Sequence, residues 1–507
     1  MLTIDELATF CKKKGFVYPS AEIYGGLSGF FDYGPLGVEL KNRIKSEWWK
    51  VFVHQRHDVV GIDGSLVNHP KIWQASGHVS NFNDVLVECT RCKHRMRADH
   101  LIEDVLNIKT EGLHAEDFQK LIEKNKVACP KCKGAFSKPH AFNLMFTTYI
   151  GPRISEENVA YLRPETAQLM FTNFRLVAET ARMKVPFGIA QIGKAFRNEI
   201  SPRDFLFRAR EFEQMEIEFF THPAALECSF FKDVASLKVN FLSAKEQLAK
   251  KDSHKEVKLV DLVKQKSLSE WHAYWIGQQY QWFLNLGVNP EHLRVREHRK
   301  DELAHYATAC FDIEYKFPFG WKEIHGNAAR GNFDLSQHQK LSTVSMELFD
   351  EEKKEKFLPI VASEPSQGVD RAFLTFLYDA YTFDKDRGNV VLRLHPKLMP
   401  VQVGVFPLLT NKDELVKKAE KIAEDLMQGY TVQYDRSGSV GRRYARADEI
   451  GILLCCTIDF QTLEDDTVTL RHRDTTKQIR VKTKELKDVV YKIMYGAAFE
   501  KCGKLVK

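Results

Sequence analysis

Four arginines and five glutamates crowd residues 196–220, FRNEISPRDFLFRAREFEQMEIEFF, among six phenylalanines. The stretch reads as two antiparallel strands joined by the loop ISPRDFLF. Alternation then puts Gln191, Gly193, Ala195, Arg197 and Glu199 on one face of the first strand. Arg208, Arg210, Phe212, Gln214, Glu216 and Glu218 share a face of the second. A sheet face with that inventory suits a polyphosphate nucleotide. Guanidinium forks match phosphate oxygens, an aromatic plate stacks a purine, and carboxylates hold Mg²⁺ or an amine. The competing reading is a salt-bridged surface hairpin.

A second stretch favours the nucleotide. FLPIVASEPSQGVDRAFLTFLYDAY (357–381) reads as an apolar strand, a turn at Pro365-Ser366, then a helix. Val369, Ala372, Phe373, Phe376, Leu377 and Ala380 keep helical spacing, so that helix packs firmly. Gly368 lets the backbone come close at the helix start. Arg371 in the first turn is electrostatically unfavourable by itself, and makes sense if it reaches an anion such as a triphosphate tail.

Cys89-Thr90-Arg91-Cys92 and Cys129-Pro130-Lys131-Cys132 are two CxxC pairs with 36 residues between them. Each can give two thiolates to a tetrahedral Zn²⁺, and four ligands make a closed, structural site. The separation exceeds the usual zinc-ribbon spacing, and two unrelated pairs of reduced thiols are the alternative. Cys11, Cys228, Cys310, Cys455, Cys456 and Cys502 read as ordinary buried thiols.

These groups need scaffolding, and 507 residues provide for two to four domains. Hydrophobic content of 44% and charged content of 28% are those of a soluble globular protein, and no apolar run approaches the roughly 18 residues of a membrane span. Thr3-Ile4-Asp5-Glu6 is a capping box opening a short helix with Leu7, Phe10 and Cys11, stopped at Gly15; it is not a signal peptide. Ten cysteines without a disulfide framework suit a reduced, cytoplasmic setting, and a net charge of +6 permits an anionic partner. After Pro35, Leu36, Leu40, Ile44, Trp48 and Val51 line one helical face, for a core or a subunit interface. Residues 89–142, Lys- and Cys-rich with a helix at HAEDFQKLIEKN, read as an insertion. Residues 232–300 read as a helical insertion. From residue 400 to 507, strands alternating with helices predict a separate α/β domain, whose Arg442, Arg443 and Arg446 form either a solvated face or a nucleic-acid contact. His298 and His305 are expected to be structural or at the surface.

The motifs resemble class II aminoacyl-tRNA synthetases. FRNE (196–199) with RAREF (208–212) is similar to their second signature, GVDR (368–371) to their third, and the Pro35 helix to the first, which forms their dimer interface. RPETAQ (163–168), FRNEISPR (196–203), EFEQMEIE (211–218), EPSQGVDR (364–371) and YGGLSGFFDYGPLG (24–37) together resemble the homodimeric glycyl-tRNA synthetases, over nearly the whole chain. The resemblance implies an α+β catalytic domain on a mostly antiparallel sheet (1–88 and 143–399) and an anticodon-binding domain (400–507). It implies activation of glycine by ATP and Mg²⁺, transfer to the 3′-end of tRNA(Gly), and a homodimer. Arg197 would bind the α-phosphate and the attacking carboxylate, Arg208 and Arg371 the γ-phosphate. Phe212 would stack on adenine and Glu199 meet its amino group. Glu323 and Ile324 would lie at the nucleotide and its metal, with Asn198, Phe207 and Gly368 completing the ATP site.

Glycine has no side chain, so its handles are an ammonium, with three donors and no acceptor, and a carboxylate. The resemblance assigns Glu165, Glu216 and Glu364 to the ammonium, with Ser366 beside them and Arg97 on the carboxylate side. Arg330 in AARGNFDL is a weaker carry-over, and Arg203 would meet the tRNA acceptor end or solvent. Alanine is excluded by one methyl, so no editing domain is expected. The alternatives are a non-catalytic nucleic-acid-binding relative, which would have lost the signature arginines and carboxylates, and a class II enzyme for another small amino acid.

Overall fold

The computed structural model describes residues 2–108, 110, 113–249, 253–304 and 306–506. At its centre is a nine-stranded sheet. In chain order the strands are β1 (Val59–Ile62), β2 (Phe187–Phe196), β3 (Glu211–Thr221), β4 (Lys238–Leu242), β5 (Lys255–Lys258), β6 (Leu293–Glu297), β7 (Ala309–Phe317), β8 (Gly320–Ala329) and β9 (Ile360–Gly368). They lie side by side as β5-β4-β6-β7-β8-β9-β3-β2-β1. Only the β1–β2 and β4–β6 pairs are parallel. The mostly antiparallel α+β class read from the sequence is therefore the one observed.

β3 is the middle of the core, buried from Glu213 to Thr221. One face of the sheet carries α1 (Pro35–Trp49), α2 (Glu270–Asn285) and α3 (Val369–Ala380) in a continuous apolar cluster. In α1, Leu40, Ile44 and Trp48 are fully buried and Leu36 half-buried, as is Val51 in the turn that follows, so the striped face meets the chain's own core. Gly37 is required there, because a Cβ would lie 1.8 Å from the Phe16 carbonyl oxygen. All six packing residues expected in α3 are buried. A smaller cluster around Phe171, Phe174, Phe187 and Phe220 covers the opposite side. The N-terminal helix Ile4–Lys14 has the expected capping box, Glu6 N donating to Thr3 Oγ1 (3.2 Å) and Thr3 N to Glu6 (2.7 Å).

Three expectations need correction. Residues 232–300 are not a helical excursion: they supply β4, β5 and β6 at one end of the main sheet, and α2 lies in its core. Their strands are five residues or fewer, and the buried Val239 and Phe241 alternate with only Lys238 and Asn240, too short a pattern to read. Pro365-Ser366 is no turn, because β9 runs straight through it, with Pro365 opposite Asn327 of β8. Proline only removes one donor. Third, β3 starts at Glu211, so Arg208 and Arg210 precede the strand.

Residues Asn83–Glu88, Arg95–Arg97 and His140–Asn143 form a separate three-stranded sheet. Helices Ala98–Leu106 and Ala115–Lys124 pack on it over Val87, Leu101, Ile102, Phe118 and Val127. This unit starts at its first strand, a little ahead of residue 89. The C-terminal part contains β10 (Val403–Pro407), α4 (Asp413–Met427), β11 (Val432–Tyr434), α5 (Val440–Glu449), β12 (Leu454–Ile458), β13 (Thr467–His472), β14 (Gln478–Lys482) and β15 (Lys504–Leu505). Its sheet order is β11-β10-β12-β13-β14-β15, parallel among the first three strands. Lys14–Glu449 (2.5 Å), Arg43–Thr431 (3.1 Å) and Arg387–Asp448 (3.1 Å) fasten it to the rest of the chain. No helix among the described residues is long and apolar enough to cross a membrane.

Candidate active site

The hairpin β2–β3, the end of β8 and the β9–α3 junction open onto one cleft of about 310 Å³. Arg197, Glu199, Phe207, Arg208, Phe212, Gln214, Glu323, Ser366, Gly368 and Arg371, drawn from four separate sequence motifs, all line it. Strand pairing explains the convergence. Ala195 lies opposite Phe212 and Gly193 opposite Gln214, so Arg197, two residues on, shares their face.

Each guanidinium is held by one edge, and those of Arg197 and Arg371 also lie against a ring. Arg197 Nε donates to the Pro164 carbonyl (3.1 Å), and its guanidinium sits 5.3 Å from the rings of both Phe82 and Phe212. Arg208 Nε donates to Glu199 (2.8 Å). Arg371 stacks 4.5 Å from Phe207, and its Nη1 donates to the carboxylate (3.1 Å) and carbonyl (3.0 Å) of Glu323. The Arg371 guanidinium holds the Glu323 carboxyl below its ordinary range, against the effect of burial. Asn198 and Ile324 do not line the cleft; Ile324 is fully buried in the core.

Behind Ser366 and Gln214 the chemistry turns acidic. Ser366 lies opposite Glu216, and Gln214 donates to Ser366 Oγ (3.4 Å). Glu165, Glu216 and Glu364, predicted together, are buried here together. Glu165 receives Gln168 Nε2 (3.1 Å) and lies 3.3 Å from His78 Nε2. His78 and Arg330 hold it well below the carboxylate range. Glu216 accepts from the Thr166 hydroxyl. Arg330, the weaker carry-over, is buried and pairs with Glu364 at 2.8 Å and with Asp334 at 2.7 Å.

Sequence reasoning missed several supports. Arg163 clamps the start of RPETAQ to β2, donating to the carbonyls of Lys194 (2.6 Å) and Gly64 (2.8 Å); Gly193 leaves it room, since a Cβ there would lie 2.0 Å from Nη2. Asp370 accepts from the Glu213 amide (2.7 Å) and the Tyr33 hydroxyl. Glu213 points to the other face, pairing with Lys41 (2.7 Å) and Lys45 (3.0 Å) of α1, as its odd position in β3 allows. Arg210 ties the loop by donating to Glu199 O (2.9 Å) and Ser28 O (2.8 Å).

Arg97 is not among the residues lining the cleft, but its charge acts on Arg208 and Glu199, which do line it. Its guanidinium is committed to Asp99 (2.6 Å) and Asp84, two carboxylates whose proximity only the folded insertion creates. Arg203 reaches Asp204 (3.7 Å) and is exposed. His298 is bonded to Asp312 (2.6 Å) beside Cys310; His305 lies outside the described residues. Of the C-terminal arginines, Arg443 is buried against the carbonyls of Pro407 and Gly438, Arg446 pairs with Asp435 (2.6 Å) while staying partly exposed, and Arg442 is exposed.

The four cysteines of the insertion form a second constellation. All are free thiols, with sulfurs within 4.8 Å of one another, Cys89–Cys132 at 3.4 Å and Cys92–Cys129 at 3.7 Å. The edge of a ZnS₄ tetrahedron is about 3.8 Å. The two turns are built alike. Lys93 N donates to Cys89 O and Lys133 N to Cys129 O, and both lysines take positive φ (59° and 60°). Backbone N–H groups of Cys92 and Arg91 aimed at the Cys89 sulfur bring its pKa down to about 6.

Residues 402–493 match the anticodon binding domain family model. The prolyl-tRNA synthetase of Cryptosporidium parvum shares the fold, with a TM-score of 0.56 at 14% identity over 97% of this chain and 78% of that one. The glycine–tRNA ligase of Thermobifida fusca is 44% identical, covering 97% of this chain and 98% of its own. That of Caldanaerobacter subterraneus is 45% identical, over 95% and 96%, and that of Geobacillus thermodenitrificans 44%, over 96% of each. With signature arginines and buried carboxylates gathered on one class II sheet, and that identity running the length of the chain, the protein belongs to the glycine–tRNA ligase family.

Proposed function

We propose that both steps of glycine–tRNA ligation occur in this cleft, with ATP along the arginines and glycine against the carboxylates behind Ser366. As a member of its family the chain joins glycine to tRNA at the expense of ATP. The observation that carries the residue assignment is the convergence of Arg197, Arg208 and Arg371 in front of buried Glu165, Glu216 and Glu364. Phe212 stacks adenine, and Arg197 sits between the α-phosphate and the glycine carboxylate. A carboxylate oxygen attacks the α-phosphorus, and pyrophosphate leaves toward Arg208 and Arg371. The terminal 3′-hydroxyl of tRNA then attacks the glycyl carbonyl and AMP departs. Neither step needs a strong protein base; fixed charge and position do the catalysis. In the free protein Glu199 and Glu323 hold Arg208 and Arg371 in place, so nucleotide binding exchanges carboxylate partners for phosphate oxygens.

Glu323 is a hard oxygen donor at the phosphate end and fits Mg²⁺, which when bound neutralises charge on the phosphates. Cys89, Cys92, Cys129 and Cys132 fit a structural Zn²⁺ that would fix the insertion. The C-terminal domain reads the anticodon stem-loop by stacking and side-chain contacts. A homodimer and a cytoplasmic setting follow from kinship, and light scattering tests the first. The deciding experiment is ATP–pyrophosphate exchange with glycine, alanine and serine. Exchange with glycine alone is expected; exchange as fast with alanine or serine would overturn the amino-acid assignment.

A further inference from the structure

The acidic side of the site carries more negative groups than the cations facing it. Glu165 precedes the helix Ala167–Thr172; Glu216 and Glu218 lie on β3, Glu364 on β9, and Asp334 on the helix Phe333–Ser342. All five are buried. Among the described residues the cations paired with them are Arg330 and, if protonated, His78. Donors can be assigned one by one. Arg330 takes Asp334 and Glu364; Gln168 and His78 take Glu165; Thr166 takes Glu216. Glu218 has none. It is 0% exposed, and neither carboxyl oxygen meets a donor.

The strand register sharpens this. Glu216 stands opposite Ser366 and Phe219 opposite Ser363, which sets Glu218 across from Glu364. Oxygens of Glu216, Glu218 and Glu364 lie within 4.8 Å of one another. Like charges facing across antiparallel strands repel, and buried carboxylates this close cannot all ionise. One proton shared within the pair relieves both problems.

We propose that Glu218 and Glu364 share a proton in the glycine-free enzyme, that the substrate ammonium displaces it to solvent, and that Glu218 is thereby a positioning residue setting the charge of the amino-acid pocket. The proposal rests on assigning Glu165, Glu216 and Glu364 to the ammonium. An ammonium presents three donors and carries a full positive charge; a Glu364 that shares a proton has fewer free lone pairs and less negative charge to balance it, so it serves the ammonium poorly. The positive charge that enters replaces the positive charge that leaves. Burial pushes Glu364 up to about 8 and Glu218 well above the ordinary carboxylate range, with Arg330 pulling the other way. Of the other titratable groups nearby, burial lowers His338 and raises Tyr306, both away from neutrality. Because the free enzyme holds the extra proton, glycine binds more tightly as pH rises.

The test is calorimetric titration of the full-length protein with glycine, whose amine is fully protonated, in phosphate and in Tris at pH 7. About one proton should be released per glycine, and Kd should tighten about tenfold from pH 6 to pH 7. In Glu218→Gln, glycine should still bind, with proton release and pH dependence largely lost. No release from the wild type, or unchanged release from Glu218→Gln, overturns the proposal. The wild-type proton count decides alone if that variant does not fold. Glu216→Gln tests the underlying site separately: binding as tight as wild type would remove the ammonium assignment itself.

Discussion

Arg330 donates to Glu364 through Nη1 at 2.8 Å while its Nε and Nη2 hold Asp334 at 2.7 and 3.0 Å. The ring of Tyr306 covers the guanidinium at 3.8 Å, and Arg330 and Asp334 are both buried. The fork thus fixes Glu364 across the strand from Glu218, and does so from a loop that follows β8.

Arg330→Lys keeps the charge and loses the fork, and a point charge cannot bond both carboxylates in this geometry. The KM for glycine in ATP–pyrophosphate exchange should rise at least about tenfold, one good charge-assisted hydrogen bond. The KM for ATP should change much less. Arg330→Met leaves two buried carboxylates without their cation, and should destabilise the fold by about 3–5 kcal/mol in denaturant melts. An unchanged glycine KM in the lysine variant would show that the fork does not position Glu364.

Arg197 has a different standing. Among the described residues its guanidinium makes one hydrogen bond, to Pro164 O, and lies between two rings at the cleft. Arg197→Ala should therefore leave the melting temperature within a few degrees of wild type. Glycine-dependent exchange should drop by about 10²–10³-fold, the scale of losing one preorganised charge-stabilising donor. Exchange near the wild-type rate would remove Arg197 from the proposed chemistry.

Much of the nucleotide side was legible because its residues sit in short motifs and alternate along strands. Arg197, Phe212 and Gln214 fall on one face by parity alone, and the structure stacks the first two at 5.3 Å. The acidic side was only half legible. Parity put Glu218 beside Glu216, but its lack of a donor depends on where Gln168, Arg330 and Thr166 point, and these come from distant elements. The ion pair of Arg97 was illegible for the same reason: its partner Asp84 is 13 residues away and meets it across a hairpin. In 232–300 the strands are too short, and too rich in lysine, for alternation to outweigh the helical pattern of α2.

The four-cysteine site makes a metal prediction. Purified protein never exposed to chelator should contain about one zinc per chain, and Cys92→Ser should lose most of it. Zinc loss should lower the melting temperature of the insertion. Its small apolar cluster includes Val87, two residues before Cys89, and Val127, two before Cys129. Substantially less than one zinc per chain in untreated protein would leave the four thiols without a metal role.

The last prediction separates the two ends of the tRNA. Arg387 lies in the turn of a hairpin that precedes the C-terminal domain, and reaches across to it. Its guanidinium donates to Asp448 (3.1 Å) and to the carbonyls of Arg473 (2.8 Å) and Asp474 (3.2 Å). Asp448 is independently held by both Nη atoms of Arg471, at 2.8 and 3.0 Å. Removing Arg387 therefore loosens the docking of the domain without stranding a buried carboxylate inside it. A tRNA gripped at its anticodon presents its acceptor end to the cleft at an effective concentration set by that docking. Losing a charged hydrogen bond of about 1.5–3 kcal/mol should widen the range of orientations. For Arg387→Ala, kcat/KM for tRNA charging should fall about tenfold, while exchange, which needs no tRNA, stays within about twofold of wild type. Equal loss of both activities would mean that the contact supports the catalytic domain itself rather than the placement of its partner.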